Sequence, residues 1–140
     1  MIGSYKSTLD AKGRMNIPAK LREGLGDSFV IARPLEDSTC LTVYTNQSWD
    51  KISEKIMALP KIQSSKMRRI FFGNAHPVER DEQWRILIPP HLRDYARLDG
   101  EIVMVAEGDV YEIWSKAEWD KELDELDINE VRQIAIDLGI

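Results

Sequence analysis

The sequence predicts an α+β fold in which two copies of one half-domain pack about a pseudo-two-fold axis. Three observations lead to this prediction. A thirteen-residue segment occurs twice, a second likeness follows each copy at nearly the same interval, and short alternating strands are interleaved with amphipathic helical stretches. Such a repeat fixes the architecture first, because both copies are expected to adopt the same local structure.

The repeated segment covers residues 10–22 and returns at residues 81–93. One residue fewer in the second copy then reduces the offset to 70, so that residues 41–44 correspond to residues 111–114 and Trp49 corresponds to Trp119. We therefore predict a single domain over residues 1–140, with repeats at about 5–51 and 76–121 and a C-terminal helical tail at about 127–140. Six positions of the segment are identical and lie 71 residues apart: Asp10/Asp81, Arg14/Arg85, Ile17/Ile88, Pro18/Pro89, Leu21/Leu92 and Arg22/Arg93.

Turn and breaker residues define the elements of the first repeat. Gly13 can take the positive φ that a tight turn between two strands requires. Pro18 suits the first position of a short helix, while Thr45 or Asn46 opens a longer helix that Pro60 ends. The predicted strands are residues 5–9, 14–17, 29–32 and 41–44, and the predicted helices are residues 19–23, 46–59 and 63–72.

The second repeat follows the same order and ends in two further helices. Ser115 and Asp127 each stand three residues before a glutamate, which is the pattern of a capping box at a helix start. We expect the first of these helices to turn Trp119, Leu123 and Leu126 inward, and the second to align Val131, Ile134 and Leu138. The predicted strands are residues 77–80, 85–88, 102–106 and 110–114, with a short helix over residues 89–95.

Composition restricts the class of protein. A chain of 140 residues with 43% hydrophobic residues and four tryptophans is typical of a folded globule. Cys40 is the only cysteine, so no intramolecular disulfide can form, which suits a reducing compartment. The N-terminal residues show no apolar leader, and no apolar run approaches the roughly 20 residues of a membrane span. We therefore expect a soluble cytoplasmic protein.

The charge is distributed unevenly along the chain. The net charge is −5, yet residues 1–35 hold six basic and three acidic residues, whereas residues 101–140 hold three basic and twelve acidic residues. A negative net charge argues against nucleic-acid binding, because nucleic-acid-binding domains usually carry a basic surface. Because binding depends on the local field, a basic face in the first repeat remains compatible with that total.

The twofold occurrence of Asp-x-x-x-Arg, followed each time by Ile-Pro and Leu-Arg, resembles the MraZ family. The likeness covers about residues 3–120, including a tryptophan-bearing helix that closes each half. It implies a small β-barrel of swapped hairpins, related to AbrB and SpoVT domains, and a sequence-specific DNA-binding transcriptional repressor. It further implies that the DNA-binding site consists of short direct repeats in a promoter of the division and cell-wall gene cluster. The implied partners are double-stranded DNA and further copies of the chain in a ring-like homo-oligomer, associated with the nucleoid.

The candidate DNA-binding residues lie on and around the first turn. Arg14 can take the O6 and N7 atoms of guanine in a bidentate fork, whereas Lys12 mainly supplies charge to phosphate. Lys6, Lys20 and Arg22 lie nearby in sequence and can extend a phosphate-contacting rim, although ordinary solvated charge explains them equally well.

The structural candidates are the residues that shape the two turns. Asp10 and Asp81 each precede an arginine by four residues, a spacing that can pair them across the turn, and Gly13 completes the first turn. Arg85 is a weaker DNA-binding candidate than Arg14, because its turn differs. Trp84 replaces Gly13 and disfavours a positive φ, so we expect the second turn to adopt another conformation. Gln83 replaces Lys12 and removes a cation.

Other kinds of site find little support in the sequence. His76, His91 and Cys40 lack metal-ligand spacing, and the two repeated aspartates lack the Thr/Ser-Gly that follows each member of an aspartic dyad. The cluster at residues 66–69 fits a solvated helix face. We expect no enzyme activity, metal, cofactor, membrane contact or small-molecule substrate. Two hypotheses stand beside the DNA-binding regulator: a protein-interaction or scaffold domain on the same fold, favoured by the acidic balance, and a small-barrel hydrolase or decarboxylase, which is disfavoured.

Overall fold

A computed structural model describes residues 1–140. The chain forms eight β-strands, close to the positions that alternation and turn residues predict. The strands are β1 (Ile2–Thr8), β2 (Arg14–Asn16), β3 (Ser28–Ala32), β4 (Leu41–Thr45), β5 (His76–Glu79), β6 (Arg85–Leu87), β7 (Glu101–Glu107) and β8 (Val110–Ser115).

Six α-helices and one short 3-10 helix, Ala19–Leu21, connect the strands. The capping residues predicted for three of the helices are confirmed: Thr45 accepts a hydrogen bond from the Ser48 N–H, Ser115 from the Glu118 N–H, and Asp127 caps the last helix. No helix combines the length and apolarity of a membrane-spanning segment. The α-helices are α1 (Arg22–Leu25), α2 (Asn46–Met57), α3 (Lys61–Gly73), α4 (Pro90–Ala96), α5 (Lys116–Asp124) and α6 (Ile128–Leu138).

Six strands form one antiparallel sheet in the order β1-β7-β8-β4-β3-β5. Each edge strand pairs with a hairpin from the other half of the chain, since β1 lies beside β7 and β5 lies beside β3. The central contact joins β4 to β8, which occupy corresponding places in the two halves. The sheet therefore forms only when both halves fold together.

The two remaining strands, β2 and β6, pair only with each other and form a separate two-stranded ribbon. The α+β class is confirmed, but the expected closed barrel is not found, because no continuous ladder joins the ribbon to the sheet. A single bridge, between Leu9 and Met15, links β1 to the ribbon. The cause lies in the turns at residues 10–13 and 81–84, which bend the chain so that β2 and β6 leave their neighbours β1 and β5 and meet each other.

The main core fills the space between the sheet and the ribbon. It comprises nineteen buried residues drawn from both repeats, including Met15 and Ile86 of the ribbon and Ile31 and Met104 of the sheet. The repeated Ile17 and its counterpart in the second half are fully buried there, together with both leucines of the Leu-Arg motif. This explains why the apolar members of the repeated segment are retained in both copies: they form one shared core.

Helices cover the opposite, outer face of the sheet. On the first half, α2 and α3 pack over Ala32 and Tyr44. On the second half, α5 places Trp119 against a smaller cluster that contains Cys40, Val103 and Trp114. The ribbon and the long helices therefore lie on opposite sides of the sheet.

The expected inward face of α5 is only partly correct. Trp119 packs on the sheet, but the side chains of Leu123 and Leu126 remain 51% and 49% exposed. Leu123 lies in the last turn of α5 and Leu126 lies beyond its end, and neither packs in the small cluster that holds Trp119. In α6, no residue is buried.

Three glutamates, Glu36, Glu107 and Glu112, lie close together on the outer face between α2 and α5. A side-chain hydrogen bond to Glu112, partial burial and the neighbouring negative charges together raise the pKa of Glu107 from 4.5 to about 7. One carboxyl of the cluster thus holds a proton near neutral pH and relieves the repulsion among the three groups.

We expect this proton to make folding stability depend on pH. The folded chain binds the Glu107 proton more tightly than the unfolded chain does. The contribution of this proton to the free energy of unfolding is therefore fully present below pH 4.5 and is lost as the pH rises to about 7. The group is largely exposed, so screening reduces the effect to on the order of 1 kcal/mol. Denaturant unfolding of Glu107→Gln should show a flatter dependence between pH 5 and pH 7. Glu101→Gln, at the other end of β7, serves as the control, and equal slopes for wild type and Glu107→Gln would contradict the assignment.

Candidate nucleic-acid interface

The antiparallel ribbon of β2 and β6 is centred on the pair Met15–Ile86, whose side chains point into the core. Outside β2 and β6, hydrogen bonds continue the pairing on both sides. The Ile17 N–H donates to the Trp84 carbonyl at 2.8 Å, and the Ile88 N–H donates to the Gly13 carbonyl at 3.0 Å. Each strand is thus tied to the turn of the other repeat.

The opposite face of the ribbon carries Arg14, Asn16, Arg85 and Leu87, because side chains alternate along a strand. Arg14 lies across from Leu87, and Asn16 lies across from Arg85, so the two arginines are diagonal neighbours. Sheet geometry places such diagonal positions about 7–8 Å apart. One exposed surface therefore displays both repeated arginines.

The carboxylate of Asp10 organises the first turn. Its Oδ1 accepts hydrogen bonds from the backbone N–H groups of Lys12 and Arg14, both at 2.9 Å, and its Oδ2 pairs with the Arg14 Nε at 2.8 Å. The ion pair that the spacing predicts is therefore present. These bonds, led by the Arg14 N–H, lower the pKa of Asp10, so the carboxylate stays ionised and the pair persists at neutral pH.

The second turn repeats this arrangement atom for atom. Asp81 Oδ1 accepts from the N–H groups of Gln83 and Arg85, and Oδ2 pairs with the Arg85 Nε at 2.8 Å. The Arg85 N–H is the main cause of the lowered pKa of Asp81. In both turns the ion pair uses the arginine Nε, which leaves the two Nη groups of each guanidinium free of the pair.

The prediction that the second turn differs from the first is wrong. Trp84 takes a φ of 57°, in the left-handed region, where Gly13 takes 80°. The turns also share their backbone bonds, since the N–H of Gly13 and that of Trp84 each donate at 3.0 Å to the carbonyl three residues earlier. The indole compensates for the unusual backbone: the Arg80 guanidinium lies 4.2 Å from its ring centre, and that of Arg22 lies 5.4 Å away.

The arginine of each Leu-Arg motif packs against the turn of the other repeat. Arg22 lies over Trp84 and also donates its Nε to the Ile17 carbonyl at 2.9 Å. Arg93 occupies the corresponding place at the first turn, where a Cβ on Gly13 would come within 2.5 Å of its Nη1. The positive φ favours glycine at this position, and a Cβ there would also require the guanidinium of Arg93 to shift.

The remaining candidates are not all on one surface. Lys12 is exposed on the first turn, and Lys20 is exposed on the 3-10 helix that follows β2. Lys6 pairs with Val103 and lines a shallow cavity with Trp119 and its helix, so it lies on the outer face of the sheet, away from the ribbon. Arg22 is half-buried by its contacts with the second turn.

Three residues of this region were missed at the sequence level. Asn16 shares the exposed face with Arg14, and the alternation of β2 already indicated this. Arg93 could have been found as the counterpart of Arg22. Arg80, which stacks on Trp84 and pairs with Asp27 at 3.0 Å, leaves no signal in the repeat pattern.

Chemically, the ribbon offers hydrogen-bond donors and positive charge on a rigid surface. Two guanidinium groups and a nearby lysine can bind an anionic backbone and the polar edges of bases. No group of three or more His, Cys, Asp or Glu side chains is placed to hold a metal ion.

Comparisons with known proteins agree with the repeat. A family model described as "MraZ protein, putative antitoxin-like" matches the chain twice, over residues 1–69 and 71–137. A protein of Carboxydothermus hydrogenoformans named "Transcriptional regulator MraZ" is 45% identical over 120 residues, covering 84% of this chain and 82% of its own. Relatives of the same name from Desulforamulus reducens and Heliobacterium modesticaldum are 42% and 41% identical over 122 residues, each covering 86% of this chain and 84% of their own.

The fit of Arg93 over Gly13 predicts that Gly13→Ala destabilises the protein. The added Cβ combines the left-handed backbone penalty of roughly 1–2 kcal/mol with displacement of the Arg93 guanidinium from its place over the turn. Gly100→Ala is the matched control, because Gly100 also has a positive φ, 64°, but its Cβ would meet nothing within 4 Å. Thermal unfolding should show a larger loss for Gly13→Ala, and equal losses would mean that the close approach does not matter.

Proposed function

The chain belongs to the MraZ family, and from that premise we propose that it is a sequence-specific DNA-binding transcriptional regulator. The observation that supports this best is the exposed ribbon, where an ionised aspartate fixes each of two diagonal arginines through Nε and leaves the terminal nitrogens free. A guanidinium held in this way loses less conformational entropy on binding. The names of the relatives, all transcriptional regulators, point to the same activity.

The proposed binding mode places the ribbon in the major groove. That groove is about 12 Å wide and admits a two-stranded β-ribbon. Arg14 would contact guanine through its two Nη groups, and Arg85 would do so more weakly because its turn lacks a lysine. Asn16 would mainly brace the ribbon, because its amide donates to the Gln83 carbonyl and accepts from the Arg22 Nη2, both at 3.2 Å. Lys12 and Lys20 would bind phosphate, and Arg22 would mainly hold the second turn in place. Lys6 faces away from the ribbon, so any contact it makes with DNA is separate from this one.

One ribbon provides few cations, so we propose that several copies act together. In a ring-like homo-oligomer, binding of one ribbon makes the next contact intramolecular, with gains of about 10²–10⁴ in affinity when the geometry fits. The site would then consist of short direct repeats spaced by about one helical turn. We propose a promoter of the division and cell-wall gene cluster as the target and repression as the outcome, in a cytoplasmic, nucleoid-associated protein without enzyme activity.

This binding mode also explains the duplication. We propose that the chain is a single domain whose halves are related by an approximate two-fold axis through the ribbon. The exchange of hairpins between halves supports this arrangement, because the strand order of the sheet is unchanged when each strand is replaced by its counterpart.

A second candidate function is a protein-interaction domain on the same fold without DNA binding. The net charge of −5 and the replacement of a lysine by Gln83 favour it. Binding assays with purified protein and the DNA upstream of its own gene separate the two candidates.

We expect Arg14→Ala to reduce specific DNA binding by about 1–3 kcal/mol per ribbon, the value of a bidentate base contact. Arg85→Ala should reduce the affinity for specific DNA by a smaller amount. Arg14→Lys keeps the charge but not the fork, so it should recover non-specific binding only. Lys121→Ala on α5 is the control for a distant cation. Equal affinity of Arg14→Ala and wild type in a mobility-shift titration would refute the proposed contact.

The salt dependence of binding tests the phosphate contacts. Each lost phosphate contact should reduce the slope of log K against log salt by about one. Lys12→Ala should lower the slope by this amount per bound ribbon. Gln83→Lys should raise it, because the second turn has the same hydrogen bonds as the first and can present a lysine in the same way. Unchanged slopes in both variants would mean that neither turn contacts phosphate.

A further inference from the structure

The arginines that close the two Leu-Arg motifs, Arg22 and Arg93, are counterparts in the repeat but differ in their bonds. The Arg22 Nε donates to the Ile17 carbonyl at 2.9 Å, and its Nη2 donates to the Asn16 side chain at 3.2 Å. Its guanidinium also lies 5.4 Å from the Trp84 ring centre. The guanidinium of Arg22 is therefore bound within the protein itself.

The guanidinium of Arg93 lacks these partners. Its Nε is buried without a hydrogen bond, so it does not make the bond to the Ile88 carbonyl that would correspond to the Nε bond of Arg22. Leu87 stands at the position of Asn16 and has no amide to accept from the arginine. No ion pair of the structure includes Arg93. One arginine beside the ribbon thus carries an unpaired charge.

An unpaired, half-buried guanidinium lowers the stability of the folded protein. A charged donor that is buried without an acceptor loses its bonds to water and gains none in return. The side chain of Arg93 is only partly exposed, and its buried atom without a partner is Nε, whereas the two Nη atoms are not buried. Guanidinium donors form their strongest hydrogen bonds with anionic oxygens. An anion at the accessible end of this side chain would supply the missing counter-charge.

The position of Arg93 borders the exposed face of the ribbon. Its counterpart Arg22 reaches Asn16, which lies on that face beside Arg14. By the same relation, the guanidinium of Arg93 lies near the face at the end where β2 begins. A Cβ added to Gly13 would be 2.5 Å from the Arg93 Nη1 and 2.6 Å from its Cζ, so the guanidinium rests directly on the glycine backbone of the first turn.

A second cation lies on the same turn. Lys12 precedes Gly13, is exposed and belongs to no ion pair. The carboxylate of the turn, Asp10, is already bound to the Arg14 guanidinium and to two backbone N–H groups. The charges of Lys12 and Arg93 are therefore both available to an external anion.

The second turn does not offer the same place. The indole of Trp84 fills the position that is open over Gly13, and the guanidinium of Arg80 lies 4.2 Å from its ring centre. Arg80 is itself paired with Asp27, and Gln83 stands in place of the lysine. Both arginines that stack on this turn thus have partners within the chain.

We propose that Arg93 and Lys12 together bind one phosphate group of the DNA backbone at the first turn, and that the second turn has no equivalent phosphate site. The inference rests on the proposed function, which supplies the DNA. With Arg14 in the groove, the two cations beside it meet the backbone that borders the groove. Arg93 therefore contributes affinity without reading the base sequence.

This inequality between the turns fixes the direction of the chain on DNA. The proposed two-fold axis through the ribbon lets Arg14 and Arg85 exchange places when the ribbon is turned around. Phosphate contacts set the register and orientation of a protein on the duplex. A phosphate bound only at the first turn favours one of the two orientations, as a series of direct repeats requires.

Thermal unfolding separates a binding role of Arg93 from a structural one. Arg93→Met keeps most of the aliphatic stem and removes an unpaired charge, so its unfolding temperature should equal or exceed that of wild type. Arg22→Met is the matched control and should unfold at a lower temperature, because it loses two hydrogen bonds. An equal loss of stability in both variants would show that Arg93 supports the fold and would overturn the proposal.

Mobility-shift titrations compare the DNA upstream of the protein's own gene with an unrelated fragment of equal length. Arg93→Met should weaken binding to both fragments by about tenfold, the effect of one charged hydrogen bond. It should also lower the slope of log K against log salt by about one per bound chain. The ratio of the two affinities should stay constant for Arg93→Met and fall for Arg14→Ala. A lowered ratio for Arg93→Met would indicate a base contact and would overturn the phosphate assignment.

The same titrations distinguish failure of this inference from failure of the proposed function. If Arg93→Met keeps the affinity and salt slope of wild type while Arg14→Ala loses binding, the inference is wrong and the function stands. If wild type does not bind DNA at all, both are wrong.

Neutral methylphosphonate linkages, introduced one at a time into the DNA, locate the phosphate. One linkage in each repeat should weaken wild type by about tenfold and leave Arg93→Met unaffected, since the contact is already absent. Lys12→Ala should show part of the same insensitivity. If every linkage affects wild type and Arg93→Met equally, the proposal is overturned.

Inorganic phosphate at constant ionic strength tests a free ion as the ligand instead. If phosphate raises the unfolding temperature of wild type but not of Arg93→Met, while both proteins bind DNA equally, the site takes a free phosphate and the assignment to DNA is overturned. We expect no such difference in the absence of DNA.

Discussion

The pairing of β2 with β6 is the contact on which the rest of the structure depends. It places Met15 and Ile86 at the centre of a core that neither repeat could close alone. It also ties each strand to the opposite turn through reciprocal backbone hydrogen bonds. Since a two-stranded ribbon is marginal by itself in water, its stability must come from the core beneath it. The half-buried arginines Arg14 and Arg85 are consequently held by the same packing that makes the protein fold.

The repeated motif is best understood as two interlocking sets of residues. Its isoleucine, proline and leucine positions build the shared core and the short helices, and its aspartate and arginine positions shape the turn. The last arginine of each copy, Arg22 or Arg93, reaches across to the turn of the other copy. Which residue fits at the Gly13 or Trp84 position of each turn depends on how this arginine packs against it. At the first turn the guanidinium occupies the space beside Gly13, whereas at the second the indole of Trp84 fills that space and stacks with two arginines.

The same duplication has diverged on the outer face. The aromatic pairs of the two halves, Tyr44 with Trp49 and Trp114 with Trp119, keep one geometry, and their inner rings, Tyr44 and Trp114, are both buried, but α3 packs on the first pair, whereas no residue of α6 is buried. A strictly symmetric molecule would pack both of these helices on the sheet or neither.

The sequence by itself determined the α+β class, the two repeats, the helix caps and the ion pairs across the turns, because these depend on residue patterns within a few positions of each other. Alternation along β2 likewise puts Asn16 on the same face as Arg14. Only the tertiary structure decided that the ribbon separates from an open sheet and that Trp84 adopts the glycine-like φ. It also decided that Lys6 lies on the far side and that Leu123 and Leu126 stay exposed. Each of these outcomes follows from contacts between residues distant in sequence: a left-handed tryptophan is tolerated because Arg80 and Arg22 stack on it, and an amphipathic helix is buried only where another element lies within its reach.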